Sequence, residues 1–182
     1  MHESKTVCVY CASSDESEPI YRDVARRLGG LLAAHGYSVI YGGGSKGSMG
    51  ALADGVLANG GTITGVMPRF MLDLEWAHKG LTELKVVEDM RARKHAMLSE
   101  SAGCITLPGG PGTFEELFEA FTLQRLGLYA KPIVLLNTRN YFAPLKTLLD
   151  HSVTERFMRS GHVETLLFVA EPEDVPRALA TR

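Results

Sequence analysis

The sequence predicts an α/β fold, a doubly wound, Rossmann-like parallel sheet with helices on both faces. Three observations predict it. Apolar periodicity switches repeatedly between short continuous runs, the form of strands buried on both faces, and the three-to-four-residue spacing of helices. Two glycine-rich segments each follow a strand-like run and lead into a helix-like one. No repeat, low-complexity tract or linker breaks the alternation, so the 182 residues read as a single Rossmann-like domain over 1–182. Strands alternating with helices pair in parallel through right-handed crossovers. In such sheets ligands bind at the carboxyl ends of the strands, where the strand order reverses.

The elements follow in order. Thr6–Cys11 is a short apolar run and the first strand. Ser17 and Pro19 open a helix whose apolar positions Ile20, Val24, Leu28, Leu31 and Leu32 keep helical spacing until Gly36 stops it. Tyr37–Tyr41 is the second strand, then Gly42–Gly50 leads into a helix through about Ala58. Further strands are expected at Thr62–Met67, Leu84–Val87, Cys104–Leu107, Pro132–Leu136 and Leu166–Val169. Helices are expected at Met90–Ser101, Thr113–Leu126, from about Phe142, and after Pro172; Arg69–Gly80 reads as irregular or a short helix.

Composition excludes several classes. Nineteen Lys+Arg against 21 Asp+Glu give a formal charge of -2, so no basic surplus points to nucleic acid or an anionic membrane. No apolar run approaches spanning length and no leader precedes the first strand, which predicts a cytoplasmic protein. Three cysteines do not make a disulfide framework. Cys8 and Cys11 form C-x-x-C, but positions three apart on a strand face opposite ways, so buried structural thiols are expected. No histidine has metal-ligand spacing, and neither a metal nor a cofactor is expected.

The first glycine segment, Gly42–Gly50, satisfies G-x-G-x-x-G at Gly42, Gly44 and Gly47. A dinucleotide site also needs an acid near the end of the next strand, and Thr62–Met67 is followed by Pro68 and Arg69 instead. Two readings stay open: a phosphate or ribose contact through Gly43 and Gly44, or a tight turn with no ligand. The second segment, Pro108-Gly109-Gly110-Pro111-Gly112-Thr113, runs into Phe114-Glu115-Glu116. Thr113 and Glu116 stand three apart and share a helical face, while Glu115 diverges by about 100°. As Thr113-x-x-Glu116 they also fit a capping box. With the glycines before them, they make a site where N–H groups meet phosphate, with a carboxylate one turn on. Met90, Arg93 and Met97 fall on one helical stripe, which aims Arg93 inward and Arg91 to water. An inward guanidinium needs an anionic or hydrogen-bonding partner; a ligand, or an ion pair with Glu116 or Glu75, would serve.

These residues resemble the Lonely Guy family, the phosphoribohydrolases that activate cytokinins and are often labelled possible lysine decarboxylases. The resemblance runs from Val7 to about Asn137. It rests on VCVYCASS at Val7–Ser14, Tyr41–Gly50, Gly60-Gly61, EWAHKGLTEL at Glu75–Leu84, Arg93-Lys94, P-G-G-x-G-T-x-E-E at Pro108–Glu116, and KPIVLLN at Lys131–Asn137. It implies a homodimeric Rossmann-like enzyme that hydrolyses the N-glycosidic bond of N6-substituted adenosine 5′-monophosphates, and often AMP. It implies catalysis by Arg93 and Glu116. Substrate contacts would come from Glu75, Lys94, the loop Pro108, Gly109, Gly110, Gly112 and Thr113, and Thr122. Three positions, Arg91, Ala92 and Ser48, depart from the pattern. The family's Met-His-Glu-Arg-Lys reads Met90-Arg91-Ala92-Arg93-Lys94, and Ser48 stands where leucine is common.

Breaking a ribosyl–purine bond builds positive charge on the sugar and negative charge on the base. Glu116 is expected to stabilise the sugar and orient or deprotonate water, and Arg93 to offset negative charge. A non-catalytic nucleotide-binding module would keep the glycines without needing Glu116. A pyridoxal-phosphate lysine decarboxylase would need a Schiff-base lysine, and Lys94 is the candidate. Thr122 lies nine residues after Thr113, about 180° around the helix, which suggests that it serves the partner chain's site in a dimer.

Overall fold

The computed structural model describes residues 5–72 and 76–180. Strands are β1 (Lys5–Tyr10), β2 (Tyr37–Tyr41), β3 (Ile63–Pro68), β4 (Glu83–Val87), β5 (Cys104–Thr106), β6 (Ile133–Leu136) and β7 (Leu166–Val169). Helices are α1 (Pro19–Ala34), α2 (Gly47–Ala58), α3 (Met90–Ser99), α4 (Pro111–Arg125), α5 (Ala143–Thr154), α6 (Ser160–Val163) and α7 (Val175–Leu179). The strands pair in parallel in the order β4-β3-β2-β1-β5-β6-β7. From β1 the chain winds outward to β4, then returns beside β1 at β5 and winds the other way. The reversal therefore lies between β1 and β5, and this is where a doubly wound sheet opens a crevice.

Side-chain alternation on the strands builds two apolar layers. Val7, Val9 and Val39 join α1, α2 and α7 on one face, while Cys8, Tyr10 and Ile40 join α3, α4 and α5 on the other. Central strands buried on both sides must be apolar throughout, which explains the continuous runs in β1 and β6. Cys8 and Cys11 fall in opposite layers, as their spacing predicts, and all three cysteines are buried and outside any disulfide. Helices α1 and α2 cross with their backbones in contact. A Cβ on Gly55 would stand 2.0 Å from the Arg26 carbonyl oxygen, and one on Gly29 2.4 Å from that of Leu52.

Three expectations shift. Helix α4 begins at Pro111, two residues before the expected start, because proline's fixed φ suits a first helical position and Gly110 serves as its N-cap. Thr113 therefore sits inside the first turn, and the capping-box reading gives way. Arg69–Gly80 holds a single 3-10 turn at Arg69–Met71 and a bridge between Gly44 and Ala77 among the described residues. The last helix is split into a 3-10 turn at Pro172–Asp174 and the short α7. Among the described residues, no helix is long and apolar enough to cross a membrane.

Candidate active site

A cleft of about 480 Å³ opens at the carboxyl ends of the strands, over the reversal point. The loop after β1 (Cys11–Ser14) and the start of α4 (Gly110–Glu116) form its walls, with Arg93 and Met90 from α3 and Met71 beyond β3. A larger depression, about 890 Å³, lies around Lys5, Tyr37 and Lys131 near the opposite ends of the strands. The smaller cleft is where parallel-sheet geometry converges N–H groups and loop side chains.

The second glycine segment forms one wall. Gly110 has an extended backbone and Gly112 a negative φ, and a Cβ on either would meet no heavy atom within 4 Å. Neither packing nor left-handed backbone requires glycine there, so its effect is to leave open space against the helix start. The N–H groups of Gly112 and Thr113 belong to the first turn, where helices lack internal acceptors, and Phe114 is the first to bond back, to the Gly110 carbonyl. With the helix dipole these groups favour an anion. Gly109 answers a different demand, since a Cβ would lie 2.2 Å from the Thr113 hydroxyl folded over it. The Tyr141 hydroxyl donates to the Gly109 carbonyl at 2.6 Å and its ring stacks on Phe114, bracing the loop. Sequence reading missed Tyr141, which lies 32 residues away and carries no motif.

Glu116 is 6% exposed, one turn behind those N–H groups. No donor among the described residues reaches its carboxylate. Burial pushes its pKa from 4.5 up to about 7, with Arg93 opposing the rise and Glu115 adding to it. Such a group sits where proton transfer near neutral pH is efficient.

Arg93 is 4% exposed, whereas Arg91 faces water. Its Nε donates to the Val66 carbonyl at 3.0 Å and Nη2 to the Gly42 carbonyl at 2.9 Å. Among the described residues the third nitrogen, Nη1, has only the thioether sulfurs of Met71 and Met90, at 3.5 and 3.8 Å. Arg93 is thus held by backbone carbonyls at the ends of β3 and β2, not by an ion pair with Glu116. Residues 91 and 92 contribute nothing to this grip, so the departure from Met-His-Glu-Arg-Lys leaves the guanidinium in place. Gly42 is what admits it, because a Cβ there would stand 2.2 Å from Nη2.

Of the expected contacts, Arg93, Glu116, Gly110, Gly112 and Thr113 come together in the cleft, and Pro108 and Gly109 do not line it. Gly43 and Gly44 do not line it. Gly43 adopts φ +87° against Gly65 and accepts from His78 N–H, and the Gly44 carbonyl accepts from the Tyr41 hydroxyl. Lys94 is drawn to α4, where it pairs with Glu115 and, at 2.7 Å, with Glu119, contacts that raise its pKa. Thr122 is exposed and outside the cleft, on a stripe with the exposed side chains of Phe118 and Leu126. Glu75 lies outside the described residues. Sequence reading also missed Ser13, Ser14, Phe70 and Met71, brought to the cleft by strand order alone. Among the described residues no group of three or more His, Cys, Asp or Glu is placed to hold a metal ion.

The family model described as "Possible lysine decarboxylase" matches residues 49–179. The chain is 43% identical over 155 residues to the cytokinin riboside 5′-monophosphate phosphoribohydrolase of Rhodococcoides fascians, covering 85% of this chain and 78% of that one. The chain belongs to this family. A probable cytokinin riboside 5′-monophosphate phosphoribohydrolase of Oryza sativa subsp. japonica is 37% identical over 171 residues, 94% of this chain and 70% of that one. The fold also resembles the molybdenum cofactor carrier protein of Chlamydomonas reinhardtii, with TM-score 0.72, 23% identity, and coverage of 98% and 100%. That likeness concerns the fold alone. Of the Arg93-Lys94 and Pro108–Glu116 segments that carry the resemblance, Arg93, residues 110–113, Glu115 and Glu116 line this cleft.

Proposed function

We propose that the chain hydrolyses the N-glycosidic bond of adenosine 5′-monophosphates, N6-substituted ones included, to free base and ribose 5-phosphate. The observation that carries this reading is Glu116, a buried carboxylate with no partner among the described residues, one turn behind two open N–H donors. Phosphate binds the Gly112 and Thr113 N–H groups, and that remote binding sets the ribose against Glu116. As the C1′–N bond breaks, its electron pair leaves with the base and the carboxylate stabilises the oxocarbenium-like sugar. Water then bonds to C1′, and Glu116 takes its proton and passes it on to the departed base, which completes the free base and restores the carboxylate. Arg93 Nη1 offsets negative charge on base or phosphate.

Two rivals fare worse. A binding module without catalysis does not call for a buried, unpaired carboxylate, which costs stability. A lysine decarboxylase needs an unprotonated Schiff-base amine, and Glu115 and Glu119 hold Lys94 in its charged form. The test is free-base release from AMP, an N6-substituted AMP and adenosine. Both nucleotides should turn over, with adenosine at least about 100-fold poorer in kcat/KM for want of the phosphate anchor. Binding without release would leave the module, and equal kcat/KM for AMP and adenosine would remove the anchor.

The same reading makes the working unit a cytoplasmic homodimer acting on a small nucleotide and not on nucleic acid. Phe118, Thr122 and the C-cap residue Leu126 form an exposed, largely apolar stripe along α4, suited to a two-fold contact that carries Thr122 to the partner's cleft. Refolding Glu116→Gln and Thr122→Arg proteins together should recover activity, because one mixed dimer then holds one intact site. A monomer by light scattering ends the proposal.

A further inference from the structure

We infer that Tyr141 is a positioning residue, whose hydroxyl fixes the Gly109–Gly110 peptide so that the Gly110 N–H becomes a third phosphate donor. The inference rests on the phosphate anchor of the hydrolase reading above. A peptide between two glycines has no Cβ on either side to resist rotation of its plane, so a hydrogen bond must set its orientation. The Tyr141 hydroxyl supplies that bond, donating to the Gly109 carbonyl at 2.6 Å. In a trans peptide the carbonyl and the following N–H point opposite ways, and no described peptide is cis. The Gly110 N–H therefore points away from Tyr141.

Sheet order gives that direction a meaning. Strand β5 lies between β1 and β6, so the loop after β5 has Cys11–Ser14 of the cleft on one side and Tyr141, after β6, on the other. A carbonyl drawn to the β6 side turns its N–H toward the cleft, which Gly110 lines. Among the described residues that N–H has no acceptor. Pro111 has no N–H, and Phe114 already bonds back to Gly110, so Gly110, Gly112 and Thr113 are the donors this helix start can offer.

The turn that carries Tyr141 is itself held tightly. Arg139 and Asn140 both take left-handed backbone, at φ 54° and 57°, an uncommon state for residues with a Cβ. Asn137 keeps them there. Its N–H donates to the Val169 carbonyl at 2.7 Å, its carbonyl accepts the Asn140 N–H at 3.0 Å, and its Oδ1 accepts the Phe142 N–H at 2.8 Å. Arg139 pairs with Glu18 just before α1, and the Tyr141 ring meets Tyr21 and Phe142 edge-on.

Tyr141→Phe keeps the ring and removes only the hydroxyl. The experiment measures Kd for ribose 5-phosphate and for adenosine by calorimetry, and base release from AMP. Kd for ribose 5-phosphate and KM for AMP should each rise about tenfold, as for loss of one hydrogen bond to a charged group, with kcat within about twofold. Adenosine, which has no phosphate, should bind as before. Tyr21→Phe removes a hydroxyl from the same aromatic cluster, one that holds nothing among the described residues, and should change none of these values. Unchanged ribose 5-phosphate binding in Tyr141→Phe overturns the assignment. An equal loss for adenosine does so too, because it marks a merely structural role. Either result, with base still released from AMP, leaves the hydrolase reading standing. A tenfold loss of ribose 5-phosphate binding in a protein that releases no base keeps the role of Tyr141 and sinks the hydrolase.

Discussion

In both glycine-rich segments a strand runs into the first turn of a helix, yet the glycines answer to different neighbours. At Gly42–Gly50 the protein itself fills the space. Gly42 makes way for Arg93, Gly47 at φ +57° lies against Ala12–Ser14, and a Cβ on Gly50 would stand 2.2 Å from the Ser45 carbonyl oxygen. The helix donors there are spoken for as well: Gly47 N–H bonds Asp15 Oδ1 at 2.8 Å and Met49 N–H the Ala12 carbonyl. At Gly110 and Gly112 no heavy atom of the described residues beyond the adjoining backbone comes within 4 Å of a Cβ, and the first-turn donors face the cleft. A glycine next to packed backbone is architecture, and a glycine next to open space beside free donors is a place for a ligand. The first segment still serves the site, by holding Arg93 and fixing the loop that carries Ser13 and Ser14.

If the open segment is the site, the carboxylate behind it should carry the largest effect. Glu116→Gln is expected to lower kcat by about 10³ or more while nucleotide still binds, because the amide keeps the shape and loses the charge. Single-turnover base release with a parallel Kd measurement checks it. Retained kcat would move the chemistry elsewhere.

The pH dependence sharpens the same point. With its folded pKa raised to about 7, Glu116 is needed as carboxylate, so kcat/KM should rise with pH and level off above about 7. Stability runs the other way. The unfolded chain releases this proton near 4.5 and the folded chain only near 7, so the native state loses stability between those values and holds the deficit above them. The deficit is about 3 kcal/mol at pH 8. Glu116→Gln should therefore raise Tm more at pH 8 than at pH 5. Equal gains at both would mean that burial does not perturb this group.

A paired substitution tests the contrast between the loops directly. Gly50→Ala should cost about 1–3 kcal/mol of stability, read as a fall in Tm, because its Cβ overlaps backbone that cannot yield. Gly112→Ala should leave Tm almost unchanged and raise KM about tenfold by standing where phosphate approaches. The reverse pattern would exchange the roles assigned to the two segments.

The smallest effect is expected at Glu115→Gln. Its side chain is 54% exposed and shares Lys94 with Glu119, so one ion pair remains after substitution. Exposed pairs contribute little, and activity should fall no more than about threefold. A loss equal to that at Glu116 would refute the separate roles given to the two neighbours.

The sequence alone determined the seven strands, the doubly wound topology and the neighbourhood of Thr113–Glu116, because each is written in local pattern. A strand buried on both faces must be apolar along its length, and a helix start must show its punctuation. Arg93 was also legible as an inward cation from its place between Met90 and Met97. What held it was not, since its partners are backbone carbonyls 27 and 51 residues away, and any residue type supplies a carbonyl. Lys94 read as a ligand contact, but pairs across helices with Glu115 and Glu119. The role of each glycine was equally hidden. A missing Cβ leaves the same letter whether backbone or a ligand needs the space, and only the strands and loops brought alongside it decide which.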